Sequence, residues 1–206
     1  MNILIDLLPT KVEIGKKMYK INSDFRTSIL FELLMYDDSI SDEFKCIQAL
    51  ELYYPSIPPE RYFEDAIHKI LWFYSCGKEN ENKDKNTENS HSKVERVYSY
   101  EYDDSYIYSA FLSQYNIDLQ DIDNLHWWKF KAMFESLRED NKICEIMKYR
   151  ASDLSKIKDK EEKAFYKKMK QTYKLPEYID KEQKEKEDEI AKILMGDGVL
   201  DLDVLT

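Results

Sequence analysis

The chain has 206 residues, enough for about one to one and a half domains and a sizeable core, and its 43% hydrophobic and 14% aromatic content excludes disorder throughout. Acidic residues outnumber basic ones 41 to 31, net −10, which argues against a general nucleic-acid binder, because displacing counterions from phosphate needs an excess of lysine and arginine. Only four glycines occur (Gly15, Gly77, Gly196, Gly198), so neither a Gly-x-Gly-x-x-Gly turn nor a Walker loop can be built.

The opening segment Met1–Pro9 has no basic n-region, and its apolar run is interrupted by Asp6, so it does not read as a signal peptide. No stretch approaches the ~20 apolar residues of a membrane span. Residues 11–21 predict a hairpin: Val12 and Ile14 alternate with charge, Gly15-Lys16-Lys17 can turn, and Met18 to Ile21 continues extended. Asn22, Ser23 and Asp24 are helix-start residues, followed by Phe25, Ile29, Leu33 and Tyr36 at helical spacing. A second helix is predicted from Ser41 to Tyr53, with Phe44, Ile47, Leu50 and Tyr54 as core contacts. Pro59 is placed to open a third helix, with Phe63, Ile67, Ile70 and Tyr74 as its stripe and Gly77 as its cap.

Residues 78–93 contain no apolar side chain, and four lysines balance four acids, so this segment reads as a polar flexible linker. It separates an N-terminal part, 1–77, from a helical part, 94–176; composition does not decide whether these are separate domains. Tyr98, Tyr100 and Tyr102 alternate as in a short extended segment. Asp103 and Asp104 then cap a helix bearing Ile107, Phe111 and Tyr115. Asp123 and Asn124 cap the most apolar helix, with Trp127, Phe130, Phe134 and Leu137 on one face. A further helix is expected over 142–150, and a basic one over roughly 159–173. The tail, 177–206, carries ten acids and four lysines, net −6; a charged helix is expected over 180–195, and within the last eight residues Leu200 to Val204 alternate apolar with acidic. The fold class expected is mainly α, a multi-helix protein with a small N-terminal β-hairpin and a charged C-terminal helix and tail.

Little in this pattern offers chemistry. The cysteines, Cys46, Cys76 and Cys144, are odd in number and widely spaced, which fits reduced thiols beside apolar helix faces. The histidines, His68, His91 and His126, lack zinc-ligand spacing. The pairs Asp37/Asp38 and Asp103/Asp104 stand at helix boundaries, where capping accounts for them. His126-Trp127-Trp128 reads as a core anchor, with stacking on a ligand as the alternative. The sharpest charge feature is 154–174, with eight lysines against three acids, net +5, and interleaved Phe165, Tyr166 and Tyr173. Four readings stay open: a solvated face, a docking surface for an acidic protein, pairing with this chain's own acidic tail within or between subunits, and a phosphate-binding stripe, the last weakened by the absence of arginine. The candidate partner-binding residues are Lys163, Lys167, Lys168, Lys170, Tyr166 and Tyr173; no catalytic residue, metal ligand or cofactor is expected.

Several segments carry a family resemblance. They are Asn2-Ile-Leu-Ile-Asp-Leu-Leu-Pro-Thr-Lys-Val-Glu-Ile-Gly15, Ile21-Asn-Ser-Asp-Phe-Arg26, Lys69-Ile-Leu-Trp-Phe-Tyr-Ser-Cys-Gly-Lys78 and Tyr106-Ile-Tyr-Ser-Ala-Phe-Leu-Ser-Gln-Tyr115. The most specific block is Leu125-His-Trp-Trp-Lys-Phe-Lys-Ala-Met-Phe134, followed by Ile146-Met-Lys-Tyr-Arg150 and Asp153-Leu-Ser-Lys-Ile157. Over residues 2–176 the chain resembles the bacteriophage gene-product-fifteen family of tailed phages and prophages of Gram-positive bacteria. The resemblance implies a tail-morphogenesis factor, a tail assembly chaperone that coats the aggregation-prone tape measure protein and helps recruit tail tube subunits, without catalysis. It implies the host bacterial cytoplasm during assembly and absence from the mature virion. The implied partners are the tape measure and tail tube proteins, with a homo-oligomer or a partner chaperone left open, no membrane, and nucleic acid disfavoured. The rival readings are a structural tail component retained in the virion and a nucleic-acid-binding regulator.

Overall fold

The computed structural model describes residues 2–78 and 96–176. Most of the predicted linker, including His91, and the whole acidic tail lie outside the described residues. Strand β1 (Lys11–Ile14) pairs antiparallel with β2 (Lys17–Lys20), in the register Lys11 to Lys20 and Ile14 to Lys17. Gly15 and Lys16 both turn with positive φ, as a tight two-residue hairpin connection requires. A Cβ on Gly15 would also come within 2.5 Å of the Tyr62 ring. The alternation read from the sequence works as expected: Val12, Ile14 and Tyr19 are buried.

Seven α-helices follow among the described residues: α1 (Phe25–Tyr36), α2 (Asp42–Tyr53), α3 (Phe63–Tyr74), α4 (Asp104–Tyr115), α5 (Trp127–Glu135), α6 (Lys142–Ala151) and α7 (Lys160–Thr172). The chain is therefore mainly helical, with a small N-terminal hairpin. Helix α1 packs on α2 and α5, α2 on α3, α4 on α6, and α6 on α7, while α3 meets β1. One buried cluster joins both sides of the linker, running from Val12 and Phe25 through Tyr53 and Phe73 to Phe111, Trp127, Phe130 and Ile143.

Local capping explains where several helices begin. The Asp24 carboxylate accepts from the Arg26 amide and Ser41 Oγ from the Phe44 amide, each satisfying an otherwise orphaned N–H. Asp24 reaches further, accepting from the Leu125 amide, while Phe25 N donates to Leu125 O and Trp127 N to Ser23 O. These bonds stitch the start of α1 to the approach of α5.

Several expectations are corrected. Phe44 and Ile47 are 52% and 47% exposed, because α2 turns Lys45, Ala49, Leu50 and Tyr53 inward instead. Lys45 is buried because its ammonium donates to Met35 O at the end of α1, where a cation suits the helix dipole. Tyr36 is exposed, and α1 buries Ser28, Phe31 and Leu34, a face set by its two neighbours and not by a single stripe. Pro59 opens a 3-10 turn, Glu60–Tyr62, before α3 begins. Tyr98 to Tyr102 do not form a strand; residues 100–102 turn, and Tyr102 faces solvent. Cys46 is exposed instead of lying against an apolar face.

Candidate functional site

Helix α5 shows what the aromatic block of the sequence does. Its N-cap is His126, not Asp123 or Asn124: His126 Nδ1 accepts from the Trp128 amide at 3.1 Å. That leaves Nε2 to carry the proton and donate to Pro9 O at 3.0 Å. Burial lowers the His126 pKa, reinforced by Lys129 and opposed by the Pro9 carbonyl. The two indoles then reach α3. Trp127 Nε1 donates to Tyr74 O and Trp128 Nε1 to Phe73 O, each at 2.8 Å. Two adjacent tryptophans thus donate to two adjacent carbonyls at the C-terminal end of α3, Phe73 O also accepting from the Cys76 amide that closes the helix. Gly77 lies directly beneath, where a Cβ would approach Trp128 to 2.9 Å. This block is a core anchor with no face left for a ligand.

The cysteines and acidic pairs offer equally little. Burial pushes the Cys76 thiol up to about 11 and also raises Cys144, with Asp140 and Glu139 adding to the latter, so neither is an activated nucleophile. Among the described residues no group of three His, Cys, Asp or Glu side chains is placed to hold a metal ion. Asp37 folds onto Ser39. Asp103 departs from its expected capping role. Its carboxylate turns inward, accepts from the Ser99 amide, and meets both terminal nitrogens of Arg150 at 2.6 and 2.9 Å.

That buried ion pair positions the candidate surface. Arg150, on α6, also donates through Nε to Tyr173 O at 2.6 Å and through Nη1 to Val97 O. The end of α7 is therefore tethered to the core by one guanidinium. Asp159 caps the other end, accepting from the Glu162 amide at 2.8 Å. Between these fixed ends α7 has no fully buried residue. Tyr149 of α6 is its main support: the Tyr173 ring stacks on it at 6.1 Å and 14°, while Phe165 and Tyr166 meet it edge-on at 5.9 and 5.8 Å.

The predicted site residues divide accordingly. Tyr166 and Tyr173 are half-buried and hold α7 onto α6. Lys170 is half-buried and donates to Ser152 O. Lys163, Lys167 and Lys168 project into solvent. Beside them α6 and α7 leave an open cleft of about 470 Å³, lined by Glu139, Cys144, Glu145, Lys148, Tyr149, Phe165 and Tyr166. Of that lining the sequence reading named only Tyr166 as a site residue. Tyr149 was legible in principle, since it follows Ile143 and Ile146 at three-residue steps.

No described helix is long and apolar enough to cross a membrane. No curated protein and no solved structure matches the chain at a significant level. The family model described as bacteriophage Gp15 protein matches residues 4–175, from the turn before the hairpin to beyond α7, and the chain belongs to that family.

Proposed function

We propose that this chain is a phage tail-morphogenesis factor, a tail assembly chaperone that binds the tape measure protein non-covalently and helps recruit tail tube subunits. It acts in the host cytoplasm during assembly, makes and breaks no covalent bond, needs no cofactor, and is left out of the finished particle. The observation that carries this reading is α7: in a protein of a phage family, an ordered helix without one fully buried residue presents lysines to solvent. A 13-residue helix is marginal in isolation, so its support by Tyr149 and Arg150 favours a displayed surface over a core element. Exposed apolar side chains elsewhere, Leu4, Ile5, Leu7, Phe44 and Ile47, suit transient contact with a partner whose apolar faces are not yet enclosed.

Co-expression with the tape measure protein of the same phage tests the role. The tape measure is expected to stay soluble only with this chain, and the triple charge reversal Lys163→Glu, Lys167→Glu, Lys168→Glu is expected to abolish that rescue. Rescue unchanged by the reversal would remove α7 as the docking surface. Many copies per particle in mass spectrometry of purified virions would replace the chaperone reading with that of a structural component.

A further inference from the structure

The α6–α7 unit is opposite in sign to the molecule that carries it. Helices α6 and α7 contain eight basic residues against three acidic ones, net +5, in a chain of net −10. Of the two carboxylates lining the cleft, Glu145 is engaged by Lys142 at 3.0 Å, while Glu139 shares the lining with Lys148. The apolar part of the cleft is a corner of three aromatic rings. Tyr149, Phe165 and Tyr166 lie 5.8–5.9 Å from one another at 75–86°, and Phe165 is 48% exposed. Helical spacing puts Lys163 and Lys167 on one flank of the Phe165–Tyr166 strip and Lys168 on the other.

We propose that this cleft seats one large apolar side chain of an acidic amphipathic helix belonging to a partner protein, whose flanking carboxylates meet Lys148, Lys163, Lys167 and Lys168. A groove between two helices is a recurrent seat for a third. The charge contrast selects both occupant and orientation: an acidic helix is repelled by most of this surface and attracted to this part of it. A basic helix would meet the reverse. The proposal deepens the docking role given to α7 above and rests on that reading for its biological partner.

The probe is a dye-labelled 20-residue helical peptide, with leucine at positions i, i+4 and i+7 and glutamate dominating the other face, titrated against the full chain by fluorescence anisotropy. Binding is expected to weaken at least tenfold when the leucines become serine, or when the glutamates become lysine, and to weaken with added salt. Phe165→Ala, with only a small fall in the unfolding midpoint, and the pair Lys163→Glu/Lys167→Glu, with an unchanged midpoint, are each expected to lower affinity at least tenfold. Equal binding of the lysine peptide, or binding indifferent to Phe165→Ala, overturns the proposal. So does binding seen only after the acids of residues 177–206 are changed to amides, because the occupant is then this chain's own tail. Loss of tape-measure rescue with peptide binding intact removes the phage role and leaves the cleft; the converse result removes the cleft alone.

Discussion

Helices α5 and α7 both carry aromatic side chains at helical spacing, yet they use them in opposite ways. In α5, Trp127, Trp128, Phe130 and Phe134 are all buried, and both indoles hydrogen-bond to the end of α3. In α7 and its C-cap, Phe165, Tyr166 and Tyr173 gather on one supporting ring, Tyr149, and leave Lys163, Lys167 and Lys168 outside. The difference is one of position. Helix α5 packs on α1 with its indoles against the end of α3, whereas α7 rests on α6. Aromatic content alone therefore does not separate a core helix from a displayed one; what separates them is how many neighbours a helix meets.

Substitutions break or sharpen that contrast. The largest effect is expected for Trp127→Ala, which empties a fully buried site and strands the Tyr74 carbonyl, costing about 3–5 kcal/mol in urea unfolding. Phe165→Ala is expected to cost at most about 1 kcal/mol, since half the ring is already in water. Asp103→Ala leaves the Arg150 guanidinium buried without its carboxylate, at a cost of about 3 kcal/mol. Because Arg150 also holds Tyr173 O, amide exchange across α7 should rise more than across α5.

Two titrations act more gently and with opposite sign. His126 has its pKa lowered by burial, so the folded chain binds fewer protons there than the unfolded one. The stability it contributes is full above the ordinary value of 6.5 and is lost as pH falls through the folded pKa. Glu32 is the reverse: burial raises its carboxyl, against the Tyr74 hydroxyl that donates to it and the charges of Lys131 and Arg96. Its contribution is full below 4.5 and is lost as pH rises through the folded pKa. Urea midpoints measured from pH 4 to 8 should lose part of their acid-side fall in His126→Asn, and part of their alkaline-side fall in Glu32→Gln. The smallest effect on stability is expected for the charge reversal of Lys163, Lys167 and Lys168, which should leave the midpoint in place while removing binding; a lowered midpoint would make α7 a structural helix after all.

Much of this architecture was readable in advance where the cause is local. Asp24, Ser41 and Asp159 cap the helices they precede because a short acceptor reaches an amide two or three residues on. The hairpin follows from alternation around Gly15. Two of the errors have a different cause. Tyr98, Tyr100 and Tyr102 alternate like a strand, but among the described residues no neighbouring strand pairs with them, and a turn forms under Ser99 and Asp103. Phe44 and Ile47 fit a helical stripe, but α2 meets α1 and α3 through its other face. The candidate surface was half legible: its lysines stood out by charge, while the cleft beside them needed Tyr149 from a different helix.

The amino-acid sequence by itself determined the helices and the hairpin, the basic character of 154–174 and membership of a phage family, because periodicity, capping and motif are written within a few residues of one another. Tertiary structure alone decided that Asp103 pairs with Arg150 across 47 positions, that two indoles close the end of α3, and that α7 is held at the surface through Tyr149, Arg150 and the bond from Lys170 to Ser152 O. Those outcomes depend on which elements meet, and a buried charge or an orphaned carbonyl finds its partner only when the whole chain has closed around it.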